Sequence, residues 1–407
     1  INSFGATNNP VPGNTGDGTN AISLEYDGSS WTAGPNGNGV VPLSGYDMGA
    51  GTQTDALFVG GPPVNSCKYD GTTFTVGPAL ATAQPSSAHG SASASATWVA
   101  HGSPIPSVGN KTQEFNKSTS AVTAAAWAST PSLGTARRQV GGFGHTTTTA
   151  VCVCGQNPPA LSNVEEYDGS SWSEVNNMPV ARVKPFASGT LNAGLAGGGE
   201  SGPTPASQAS AAEYDGTNWT ATPSIPQACL DATSLGTQTA SLVCVGVPSP
   251  NTAVLYYNGS SWTSGPTATP TAMASASGNG TQTEALVYGN SPTQTTTLEW
   301  NGSNWTSGGA LNTGRDRGAE AIGAPQNAAL YFGGNAPSTT ELVATEGYDG
   351  TTWSTRPNMA TARRGLGGAG IQTAALAFAG YTGSDSTASE EFTGETTAAN
   401  VETFSTS

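Results

Sequence analysis

Eight of the 12 basic residues in this 407-residue chain fall in four tight clusters: Arg137-Arg138, Arg182 with Lys184, Arg315 with Arg317, and Arg363-Arg364. A guanidinium is a planar fork of donors that fits the oxygens of a carboxylate or sulfate two at a time. Brought together, such forks make a receptor for the acidic groups of a polysaccharide. Arg138, Arg182, Arg317 and Arg364 are therefore the candidate ligand-binding residues. The competing use of these side chains is structural, each guanidinium bonding to backbone carbonyls or to acids such as Asp316 and Glu320. The remaining charge is acidic, with 27 Asp and Glu giving a net −15. No basic stripe can neutralise a run of phosphates, so nucleic acid is not expected as a partner.

Other reactive side chains are sparse. Only His89, His101 and His145 offer imidazole chemistry, and they stand at non-equivalent places in the repeat described below. A copper-radical oxidase needs Tyr, Cys and two His to converge, and that context is missing. A sialidase-type grip of three Arg needs a Tyr-Glu nucleophile pair, which cannot be assigned. No alternating Asp/Asn run ending in Glu points to calcium. Three of the five cysteines, Cys152, Cys154 and Cys244, sit in apolar runs and read as small buried thiols, which leaves the redox compartment open. The expectation is no catalytic residue, no cofactor and no metal. No stretch approaches 18 consecutive apolar residues, so no membrane insertion is expected, and the chain opens on Ile1-Asn2-Ser3-Phe4 without a charged or apolar leader.

What must position the arginines is a repeat. The segment Glu25-Tyr26-Asp27-Gly28-Ser29-Ser30-Trp31 returns along the whole chain, anchored at Tyr26, Tyr69, Phe115, Tyr167, Tyr214, Tyr257, Trp300, Tyr348 and Phe392. From the first anchor to the last the mean spacing is about 46 residues, the length of one four-stranded propeller blade. With 55 Gly and only 10% charged residues, the composition suits short strands and turns and disfavours helices. Ahead of each anchor lies an apolar run such as Leu330-Tyr331-Phe332-Gly333-Gly334, and ahead of that a Gly-rich inner strand closed by Gly-Thr-Gln-Thr at 51–54, 236–239 and 280–283. The fold class expected is all-β: a propeller of four-stranded antiparallel blades, eight to nine quasi-repeats, in one domain over residues 1–407.

Asp-Gly or Asn-Gly follows the aromatic anchor in seven of the nine units, which predicts a two-residue type I′ hairpin. Tyr26 would then face Ser29 and Leu24 would face Trp31, with Leu24, Tyr26 and Trp31 on one face packing against the next sheet. Glu precedes the anchor at Glu25, Glu114, Glu166, Glu213, Glu299 and Glu391, a solvated or inter-blade polar stripe.

A doubled glycine, then Tyr, then Trp five residues later resembles the kelch type of β-propeller over essentially the whole chain. The short Tyr-Asp-Gly-Ser-Ser-Trp form, with Thr361-Ala362-Arg363-Arg364 and Gly370-Ile371-Gln372-Thr373-Ala374-Ala375-Leu376, is most similar to kelch-like repeat proteins of marine tailed phages. The resemblance implies a non-enzymatic virion structural or appendage protein, such as a tail fibre, decoration or receptor-binding component, located on the phage surface or tail. Its partners would be other virion proteins, identical subunits or a host-surface glycan. The alternative is a secreted or cell-surface propeller that binds or acts on acidic polysaccharide.

Ring closure is open at this level. The first copy begins at a strand like the second of a blade, and the missing strand could come from Asn400–Phe404 in the same chain, from a neighbouring subunit, or from residues before Ile1. In an up-and-down blade the Gly-Thr-Gln-Thr and Asp-Gly turns share one side. The varied, Pro-rich segments at 62–65, 104–106, 158–161, 203–205 and 341–343, with the arginine clusters, share the other, which marks the recognition face.

Overall fold

In a computed structural model, the structure describes residues 120–399 except 202–205, 249–250 and 338–339, together with the strands named below and a few adjoining turn residues. The Pro-rich segments at 62–65, 104–106 and 203–205, and the side chains of His89 and His101, lie outside the described residues. Where the repeat count leads one to expect a single domain, the chain divides into two compact units, Ala124–Glu395 on one hand and Ile1–Thr123 with Thr396–Ser407 on the other.

The unit Ala124–Glu395 holds six four-stranded antiparallel sheets. Their inner strands, Gly141–Phe143, Phe186–Thr190, Thr233–Thr237, Ser277–Gly280, Ala319–Glu320 and Gly367–Ile371, neighbour one another in that order, and the last lies beside the first. The six sheets therefore close a ring, and are numbered here as blades one to six. Blade six takes its outer strand from the start of the unit: Ala126–Thr130 pairs with Ser389–Thr393. One sheet thus joins both ends of the unit, so the ring cannot open without breaking a ladder.

The hairpin register differs from the sequence expectation. Tyr167 lies opposite Trp172, Tyr214 opposite Trp219 and Tyr26 opposite Trp31, so the loop has four residues rather than two. The cause is the Asp side chain. Asp168 Oδ1 accepts the N–H groups of Ser170 and Ser171 at 2.7 and 2.8 Å, and Asp349 Oδ1 does the same for Thr351 and Thr352. This carboxylate cradle wraps the chain around itself, while Gly169 and Gly350 adopt φ of 94° and 92°. The aromatic pair still shares one face, with ring centroids 4.7–5.2 Å apart in blades one to five, each pair adding about 0.5–1.5 kcal/mol beyond burial.

Polar side chains then knit blade to blade. In the ring the Gln of the constant turn donates twice to carbonyls of the preceding blade: Gln238 to Gly194 and Tyr214, Gln282 to Ser241 and Tyr257, and Gln372 to Ala329 and Tyr348. The Glu ahead of the anchor accepts from the next blade's Tyr: Tyr214 Oη lies 2.6 Å from Glu166 and Tyr257 Oη 2.9 Å from Glu213, with Tyr348 bonded likewise to Glu299. The acidic stripe is inter-blade in these three places.

The other unit contains a three-stranded sheet (Gly5–Thr7, Ile22–Tyr26, Trp31–Ala33) and a four-stranded sheet (Met48–Thr52, Asp55–Val59, Ser66–Tyr69, Phe74–Val76). Its third sheet comprises Ser87–Ser93, Ala96–His101, Thr112–Lys117 and, as the outer strand, Glu402–Thr406. A two-stranded ribbon, Ser120–Thr123 with Thr396–Ala399, completes it. The C-terminal strand thus closes the sheet of the third repeat, not the first.

Candidate functional site

The four arginines chosen from the sequence separate into three roles. Arg182 is 2% exposed and buried inside blade two, where it donates to the Gly198 carbonyl at 2.5 Å and to Ser210 Oγ at 2.7 Å. It is the counterpart of Arg137, Arg315 and Arg363, all fully buried and paired with Glu165, Glu346 and Glu390 of their own blades. These side chains hold the second and third strands together and are closed to a ligand. The structural use foreseen for the clusters is thus realised at this position.

Arg138 and Arg364 stand one residue later. Their backbones bridge to Gln156 and Tyr381 of the connecting loops, so their side chains lie along those loops rather than over the axis. Arg138 pairs with Asp385 at 2.6 Å, Arg364 reaches Glu341 at 3.5 Å and Asn335 at 3.1 Å, and both guanidiniums lie 5.0 Å from the Tyr381 ring, on which they stack. The expected cationic ring is neutralised at these two points by loop acids.

Arg317 stands one residue later again, at the axis. There each blade contributes one residue in the left-handed region: Gln139 (φ 52°), Lys184 (56°), Asp231 (52°), Ser275 (55°), Arg317 (54°) and Gly365 (58°). Five of these six are not glycine, and each such conformation is held against its cost of about 1–3 kcal/mol only by surrounding structure. Backbone bonds running around the mouth supply that hold. Gln139 N donates to Gly365 O, Lys184 N to Gln139 O, Ser275 N to Asp231 O, Arg317 N to Ser275 O and Gly365 N to Arg317 O, at 2.6–3.1 Å. The result is a circlet of six residues of different chemistry on six nearly identical supports.

These residues line a cavity of about 90 Å³, continuous through Val140, Pro185, Ala232, Ala276, Gly318 and Leu366 with a second of about 100 Å³ deeper along the axis. Lys184 Nζ is held between Glu200 at 3.1 Å and Asp231 at 3.2 Å. The Arg317 guanidinium makes no hydrogen bond or ion pair among the described residues, and its Nε is enclosed without an acceptor. The mouth is therefore of mixed charge with one unmatched cation. Sequence reasoning placed Arg317, and Lys184 in its basic cluster, on this side but missed Gln139, Asp231 and Ser275. Aligning the six repeats on the buried Arg position and reading two residues on would have found them.

Lower in the shaft, three residues beyond the circlet, five blades line the cavity with Gly142, Ala187, Ser234, Glu320 and Gly368, and blade four has Gly278 at the equivalent sequence position. Five are small because blades crowd there: a Cβ on Gly368 would lie 2.2 Å from the Glu320 carbonyl oxygen. Glu320 is the exception, half-buried in the shaft, and burial pushes its carboxyl up to about 7, opposed by a hydrogen bond from Ser277. Ser234 is 2% exposed and its Oγ has no hydrogen-bond partner. The cysteines play no part here. Cys154, Cys229 and Cys244 are buried and their thiols pushed up to about 12. Among the described residues no three His, Cys, Asp or Glu side chains gather as a metal site.

No family model matches the chain, and no curated protein matches it. The solved structure of YjhT, a β-propeller, aligns with 68% of this chain and 99% of its own at a TM-score of 0.53 and 11% identity. That share is close to the 272 residues of Ala124–Glu395, about two thirds of the chain. The chain is an all-β protein of propeller blades.

Proposed function

We propose that this chain is a non-enzymatic binding and structural protein that takes the carboxylate of an acidic glycan at the axial mouth of its six-blade ring. The observation that carries the reading is Arg317: a half-buried guanidinium without a counterion, in a cavity rimmed by Gln139, Lys184, Asp231 and Ser275. A cation kept unpaired among so many paired ones is poised for an anion from outside. The resemblance of the repeats to those of tailed-phage proteins supports a place on the virion surface or tail, with a host-surface glycan, neighbouring virion proteins or identical subunits as partners. A secreted or cell-surface propeller is the alternative location for the same binding chemistry.

Calorimetric titration with a hexuronate oligosaccharide tests the mouth. Arg317→Ala should weaken binding about tenfold or more, as expected on removing a charge-assisted contact of about 1.5–3 kcal/mol, while leaving the melting temperature unchanged. Unaltered affinity in the folded variant would overturn the reading. Cryo-electron microscopy of native particles tests the location, and particles without density for the ring would remove the virion assignment.

A further inference from the structure

Resting on the mouth reading above, we propose that the shaft receives the end of an acidic glycan rather than a segment along its length, with Arg317 on the acidic group and Glu320 as the hydrogen-bonding floor. The circlet Gln139–Lys184–Asp231–Ser275–Arg317–Gly365 is joined around the axis by backbone bonds at five of its six steps and by the Lys184–Asp231 ion pair at the sixth, so the mouth has no side groove through which a polymer could lie. Below it two small cavities, of about 90 and 100 Å³, share lining residues along the inner strands, whose unpaired edges face the axis. Only a chain terminus can enter a hole of that shape.

The floor has its own polar equipment. Glu320 stands in a ring otherwise of Gly, Ala and Ser, and the nearly buried Ser234 Oγ in the same ring has no partner of its own. A sugar hydroxyl reaching this depth would find the remaining hydrogen-bonding capacity of a carboxyl group that the fold engages through Ser277, and a serine hydroxyl without a partner. The groups around Glu320 are the Ser277 hydroxyl from blade four and the phenols of Tyr288 and Tyr331, the latter beneath the Arg315 guanidinium at 4.5 Å. Blade six brings only Leu366, Gly367 and Gly368, and the mouth above brings Lys184, Asp231 and Arg317. None of the adjoining hydroxyls and phenols carries charge near neutrality, so Glu320 is the group that titrates there. Its protonated form donates to the ligand and adds no repulsion, whereas its anion faces an acidic ligand.

The test uses the full chain with two probes, a hexuronate tetramer and a long polyuronate. End recognition predicts one protein per chain at both lengths. Affinity should fall as pH rises through 7, approaching tenfold per unit well above it. Glu320→Gln should bind the tetramer with affinity that no longer changes from pH 6 to 8, and Arg317→Ala should weaken both probes. If Arg317→Ala weakens binding but several proteins occupy each long chain, or Glu320→Gln keeps the wild-type pH profile, end recognition is overturned and the mouth reading stands. If Arg317→Ala is without effect, or neither probe binds, both are overturned.

Discussion

The buried arginine position supplies its own comparison series. Arg137, Arg315 and Arg363 each face a Glu two residues before the anchor of the same blade, and that carboxylate also accepts N–H groups of the entering loop, as Glu390 does from Ala360 and Thr361. Blades three and four place Cys229 and Met273 at the equivalent positions, with Leu255 and Leu298 where the Glu would be, all buried. One fold thus accepts either an ion pair or an apolar pair at the same site. Breaking a buried pair leaves one charge uncompensated and costs about 3–5 kcal/mol, whereas replacing both partners is often near neutral. Arg363→Met should therefore lower the unfolding free energy by about 3–5 kcal/mol in urea denaturation. The double variant Arg363→Met/Glu390→Leu should recover most of that loss. Glu320 gives a pH-dependent counterpart. Its folded carboxyl titrates near 7 against an ordinary 4.5. Its contribution to stability is whole below about 4.5 and is lost as pH rises through 7. Glu320→Gln should match the wild type at pH 4.5 and exceed it at pH 8 by on the order of 1–3 kcal/mol, discounted for partial exposure, a difference that thermal melts at the two pH values would read.

At the scale of strands, two repeats trade their outer members. Seven anchors are followed by Asp-Gly or Asn-Gly and reach their partner aromatic after five residues. Phe115 and Phe392 lack that turn and stand twelve residues before Trp127 and Phe404. In the structure Phe115 lies opposite Phe404 and Trp127 opposite Phe392, and Ser120–Thr123 pairs with Thr396–Ala399 at the same register offset. The third repeat gives its outer strand to blade six and receives one from the last repeat. The sequence showed both irregular repeats but not the exchange, because equal twelve-residue spacings suit either partner and only the tertiary pairing chooses. The hairpin register was misread for a local reason: Asp-Gly favours a two-residue turn, yet the carboxylate of Asp168 or Asp349 captures two N–H groups and makes a four-residue one. Deleting residues 400–407 should then strip hydrogen-exchange protection from those amides of Thr112–Lys117 that bond to Glu402–Thr406, leaving those directed at Ala96–His101, while Ser389–Thr393 keeps its protection through Ala126–Thr130. Equal loss in both segments would show that the two ladders are not separable.

For the chain as a whole, repeat counting gave the blade type and nine units, and left open how many close on themselves. Closure is set by which strands meet, and the deciding strand, Ala126–Thr130, precedes by more than 250 residues the partner it joins. The site was legible only to the resolution of a cluster: the sequence put arginines at the mouth, but φ and pairing direction send Arg182 inward, Arg138 and Arg364 along the loops and Arg317 to the axis. Closure through the ladder of Ala126–Thr130 with Ser389–Thr393 makes the ring a unit of folding. A chain of residues 124–395 contains all 24 strands of the six blades, so it should express alone and melt in one transition close to that of the same blades in the full protein. A chain of residues 132–395 lacks the closing strand. It would leave the nearly buried Phe392 and the fully buried Phe332 without Trp127, whose ring lies 5.3 and 5.1 Å from theirs, and would free an edge of blade six. Losing one packed aromatic and five ladder residues costs about 3–5 kcal/mol or more, so the shorter chain should melt roughly 10–15 °C lower or aggregate through the exposed strand. Scanning calorimetry of the two fragments decides it, and equal melting temperatures would mean that blade six is complete without the strand that closes it.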